Sequence, residues 1–175
     1  MNLLARTVSV LFHPLLLATY MFALFSLAFP AGLDPLKEDG YWNFVFLIFC
    51  VTFLLPALNI GIFKTFGSIK SFAMEQREER IIPFSFIAIL YGALTYLFYS
   101  RTRIGLNDNL LKFLIIIDLL VIAATLVTVF YKVSVHSMAI WGLLGILLPL
   151  NKVYVDGALL YPTIISIVVA GLVMT

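Results

Sequence analysis

Six runs of about twenty apolar residues, parted by short polar breaks, constrain this chain more than any motif in it. They fall at about 8–30, 42–63, 83–100, 110–131, 134–150 and 158–174. A helix crossing a hydrocarbon core of about 30 Å needs about 20 such residues, each rising about 1.5 Å. In lipid that helix also satisfies its own backbone N–H and C=O groups. The runs are continuously apolar and do not alternate, which argues against transmembrane strands. Composition closes the soluble route, because 63% of the residues are apolar and only 11% are charged. A soluble domain holds about 25% charged residues, and disorder needs still fewer apolar ones. The expected fold is therefore all-α, an integral membrane bundle of about six transmembrane helices forming one domain over residues 1–175.

The first run has a basic flank at Arg6 but no small-residue cleavage pattern before Asp34, and it is longer than a signal-peptide core. It reads as a helix. Cys50 is the single cysteine, so neither an internal disulfide nor a thiolate metal site is expected. The net charge of +2 is small and scattered, which gives no nucleic-acid footprint.

Six crossings place the N-terminus, the 64–82 loop, the 131–136 link and the C-terminus on one face. That face carries Arg6, Lys64, Lys70, Arg77, Arg80 and Lys132, against Lys37, Arg101, Arg103, Lys112 and Lys152 on the other. The excess of one cation leans the first face toward the cytoplasm.

The 64–82 loop is the longest polar stretch. A helix starting after Ser68, with Ser68 as its cap behind Gly67, would set Lys70 and Arg77 about 20° apart and Arg80 nearby. Glu75, Glu78 and Glu79 would take the opposite arc, and Pro83 would fit the first turn of the next spanning helix. Two readings stand: a solvated connector whose basic residues touch lipid headgroups, or an anion site using the planar fork of arginine.

A second polar cluster, Tyr131-Lys132-Val133-Ser134-Val135-His136, separates two apolar runs by almost nothing. Ser134 can cap the fifth helix, where first-turn N–H groups and the positive dipole end suit an anion. Lys132 adds a cation, and His136 adds an imidazole that can pass a proton near neutral pH. The plainer reading is a capping serine and an interfacial histidine.

At these residues the chain resembles the type 2 phosphatidic acid phosphatase superfamily, in particular a divergent bacterial membrane branch. The family's signatures are K-x6-R-P, P-S-G-H and S-R-x5-H-x3-D. Val133-Ser134-Val135-His136 is similar to the second, with valine in place of proline and glycine. Lys70 and Arg77 keep the K-x6-R spacing without the proline, and Arg80 has Pro83 two residues late. The third signature, which supplies the attacking histidine, is not present in these 175 residues. As they stand, the residues imply a phosphatase-like protein without its nucleophile.

The resemblance implies an integral protein of the bacterial inner membrane that hydrolyses a lipid or isoprenoid phosphate through a phosphohistidine. Lys70, Arg77, Arg80, Lys132 and Ser134 would bind the phosphate, and His136 would protonate the leaving alkoxide. Neither metal nor cofactor is implied, and no cluster has metal-ligand spacing. Two alternatives remain: a small transporter or channel component using Asp118, which lies inside the fourth run, or a non-catalytic relative. His13-Pro14 reads as an interfacial histidine at a kink. Tyr41, Trp42, Tyr96 and Tyr99 read as interfacial anchors, and Gly142 and Gly145 as points of close helix contact.

Overall fold

A computed structural model describes residues 11–70, 74, 76–131, 133–154 and 157–174. Among the described residues the chain is helical, with no strand. Six helices match the six apolar runs in order: α1 (Pro14–Ala28), α2 (Glu38–Thr65), α3 (Glu78–Arg101), α4 (Asn109–Phe130), α5 (Val135–Val153) and α6 (Leu160–Met174). Three of them, α2, α3 and α4, are long and apolar enough to cross a membrane. The expected six crossings are thus reduced to three that meet both conditions. With 15 residues each, α1 and α6 reach only about 22 Å.

Local chemistry explains where the helices differ from expectation. Gly67, at φ +76°, closes α2: its N–H donates to the Lys64 carbonyl at 3.1 Å, and the Ser68 N–H donates to the Phe63 carbonyl at 2.9 Å. This pair of reversed hydrogen bonds terminates a helix. Gly67-Ser68 is therefore a stop, and no helix starts at Ser68. The next helix begins at Glu78, five residues before Pro83, so the proline lies inside α3 and removes one backbone donor.

A π-helical turn over Cys50–Leu54 interrupts α2. Pro56 follows it and has no N–H to offer the Thr52 carbonyl four residues back. The buried Tyr91 hydroxyl of α3 donates to that carbonyl at 3.0 Å. Of the two glycines expected at close contacts, only Gly142 is one: a Cβ there would meet the Leu120 side chain, while Gly145 has open space. Tyr41 is buried, whereas Trp42, Tyr96 and Tyr99 are exposed.

The bundle is solid at one end and hollow at the other. The second half of α1, the first halves of α2 and α4, and the last turns of α3 and α5 build the main core. Edge-to-face rings join it, with Phe22–Phe44 at 5.1 Å and Phe44–Phe98 at 5.4 Å between centroids. The opposite end holds the starts of α1, α3 and α5 and the ends of α2 and α4, and there the helices enclose a cavity.

Candidate functional site: a polar rim over an apolar cavity

The first turn of α3 and the link into α5 lie 53 residues apart in sequence and are tied by two arginines. Arg77 donates through Nη1 to the Phe130 carbonyl at 3.0 Å, and Arg80 donates through Nη1 to the Val133 carbonyl at 2.9 Å. Phe130 ends α4, so its carbonyl lacks a partner within the helix and welcomes a cation. Arg80 also donates through Nε to the Met74 carbonyl at 2.8 Å, bracing a residue held at φ 44°. The 64–82 loop and the 131–136 link do share one face.

The two arginines face different surroundings. Arg77 pairs with the exposed Glu78 at 3.0 Å and does not line the cavity. Arg80 is half-buried and lines it, with its bonds to Met74 and Val133 made through Nε and Nη1. Among the described residues no group accepts from its Nη2 amino group. Lys70 is exposed away from the cavity, its backbone N–H donating to Glu79 at 3.2 Å. The shared cationic edge of Lys70, Arg77 and Arg80 does not form, because residue 70 is not helical. Lys132 lies outside the described residues.

Ser134 caps α5 and lines the same rim. Its Oγ accepts from the Ser137 N–H at 3.4 Å and from the Ser137 hydroxyl at 3.0 Å. Two accepted bonds leave its own proton for a further acceptor. His136, in the first turn of α5, also lines the cavity. Arg80, Ser134 and His136 thus share one rim.

His13, read from the sequence as an interfacial histidine, lies on this rim too, its ring 5.9 Å from that of His136 at an interplanar angle of 75°. It precedes α1 and caps it: the Leu15 N–H donates to Nδ1 at 3.3 Å. Burial, and then the neighbouring His136, hold its pKa below the ordinary histidine value. The signal was present in the sequence, since counting crossings puts the start of the first run on the face of the other two clusters.

Below the rim the cavity is apolar and encloses about 780 Å³. Side chains of five helices wall it, including Met21, Phe53, Ile87, Leu120 and Ile146. From Arg80 to Tyr91, both on the wall, α3 rises about 16 Å, close to half a bilayer's hydrocarbon thickness of about 30 Å. Volume, apolar walls and a few convergent polar groups are the marks of a ligand site.

Asp118 does not line this cavity. With Thr52, Tyr91 and Thr95 it borders a small pocket of about 10 Å³ that adjoins the larger one, with Ala18, Tyr91 and Ile117 lining both. Among the described residues no group of three His, Cys, Asp or Glu could hold a metal ion. The chain matches no protein-family model, no curated protein and no solved structure.

Proposed function

We propose that this protein is a membrane phosphatase-like protein whose cavity seats a lipid or isoprenoid phosphate, headgroup at the rim and chain among the apolar walls. One observation carries the reading. Arg80 from α3 and the Ser134–His136 pair from the start of α5 lie more than 50 residues apart in sequence, yet they converge on the mouth of a cavity that is otherwise apolar and runs about 16 Å along α3. An anionic head on a hydrocarbon tail matches both parts at once, whereas a water-soluble phosphate has no use for the walls.

The residues divide the chemistry among them. Arg80 holds a phosphoryl oxygen and stabilises the charge that grows in the transition state. Ser134 adds a hydroxyl donor, and the first turn of α5 adds its dipole. His136 protonates the leaving alkoxide as general acid, a contribution of about 10²–10⁴-fold. Arg77 steadies the loop from outside the cavity. The attacking histidine belongs to the third signature of the resemblance. The second half of α6 lies toward this rim, because Val169 and Ala170 pack with Leu17 of α1 and Ile140 of α5. The bacterial inner membrane suits such a substrate.

The test is phosphate release from farnesyl and dodecyl phosphate in nanodiscs by a protein that carries these 175 residues together with the third signature. The reading expects turnover, reduced at least a hundredfold in His136→Ala. Undiminished turnover in that variant would remove His136 from the chemistry.

A further inference from the structure

We infer that His13 is a headgroup-binding residue of this same site, donating through Nε2–H to the anion held by Arg80, Ser134 and His136. The inference rests on the anionic-amphiphile reading above and adds a residue from the opposite end of the chain.

Three observations support it. First, the tautomer is set by the backbone. The Leu15 N–H donates to Nδ1, and a ring nitrogen that accepts carries no proton, so the proton of the neutral ring sits on Nε2. Second, the ring is held in place. His13 stands between Phe53 of α2, with centroids 6.4 Å apart at 82°, and His136 of α5 at 5.9 Å, while Pro14 fixes the chain that follows. Third, His13 lines the cavity together with Arg80 and Ser134.

A capping role alone does not account for an imidazole here. Serine, aspartate or asparagine caps a helix better and needs only one acceptor atom. What histidine adds is a second nitrogen across the ring from the first. The tautomer also assigns the kind of chemistry: with Nδ1 engaged and Nε2 protonated, neither nitrogen has a free lone pair. His13 is therefore a donor to the substrate and not the group that attacks phosphorus. Two imidazoles this close resist double protonation, and an anion between them relieves that repulsion.

Two substitutions separate the halves of the ring. Asparagine places an acceptor where Nδ1 lies and has nothing at Nε2, whereas glutamine carries a donor about as far as Nε2 and caps poorly. Dodecyl phosphate is the probe, titrated into the protein in nanodiscs with dodecanol as control. His13→Asn is expected to keep the unaltered melting temperature and bind dodecyl phosphate about tenfold more weakly. His13→Gln is expected to melt lower and bind within about threefold of the unaltered protein. The reverse pattern, with affinity unchanged in His13→Asn, would overturn the inference while leaving the site intact. If the unaltered protein binds dodecyl phosphate no better than dodecanol, the underlying reading fails instead. Nitrogen-15 spectra of the unaltered protein give an independent check: the His13 signals should report protonated Nε2 and shift on adding dodecyl phosphate. A protonated Nδ1, or no shift while His136 responds, would contradict it.

Discussion

The guanidinium of Arg80 reaches across the mouth of the bundle to the backbone carbonyl of Val133, 2.9 Å away. That bond joins the start of α3 to the residue before the cap of α5, and it holds a cation beside Ser134 and His136. Arg80 therefore has two duties: it clamps two segments of chain, and it charges one end of an apolar cavity. Substitutions can separate them. Arg80→Lys keeps the charge but lacks the fork that reaches Met74 and Val133 together. It should lower the melting temperature while retaining part of the affinity for dodecyl phosphate. Arg80→Ala should lose both, with a stability cost of about 1.5–3 kcal/mol from the two charged hydrogen bonds. Thermal unfolding in detergent and titration with dodecyl phosphate read the two effects.

Tyr91→Phe removes the donor that serves the Thr52 carbonyl within the π-helical turn. With Pro56 unable to replace it, a buried carbonyl is left unpaired, at a cost of about 1–3 kcal/mol. Affinity for the headgroup should stay within about twofold, since the ring remains in the wall.

Gly142 and Leu120 meet where α5 crosses α4, and a methyl group at 142 would press on the leucine side chain. Gly142→Ala should cost about 1 kcal/mol, as the flexible end of Leu120 turns aside. In a double-mutant cycle with Leu120→Ala, the two changes should cost less together than separately. Strict additivity of the melting data would show that the helices do not touch there.

Acid should weaken the fold through His13. Its pKa lies below the usual 6.5, so between the folded value and 6.5 the unfolded chain binds more protons. The stabilisation from its neutral form is present above pH 6.5 and is lost as pH falls through the folded value. Melting temperatures from pH 8 to 5 should drop through that window, and His13→Asn should flatten the drop.

Much of this was legible in the sequence, and particular residues show where legibility ended. The six apolar runs map onto six helices because long continuous apolar stretches specify helices, although only α2, α3 and α4 are long and apolar enough to cross a membrane. Ser134 was readable as a cap because capping is local. The loop and the link were placed on one face by counting crossings, and Arg77 and Arg80 now tie them together. The 64–82 loop misled because Gly67-Ser68 can end one helix or begin another, and φ at Gly67 decides it. With residue 70 outside a helix, Lys70 falls away from Arg80. Arg77 and Arg80, three residues apart, part company because one meets Glu78 and the other turns inward. His13 and the cavity depend on packing among five helices, which no local pattern encodes.

The central claim is that the cavity takes a phosphate-bearing amphiphile with its head at Arg80. Equilibrium titration of nanodisc-held protein with dodecyl phosphate, comparing the unaltered chain with Arg80→Ala and Arg77→Ala, tests it most directly. Saturable one-site binding is predicted, at least tenfold weaker in Arg80→Ala and within about threefold in Arg77→Ala, whose residue pairs at the surface. Equal affinity in all three proteins would contradict the claim, as would dodecanol binding as tightly as dodecyl phosphate.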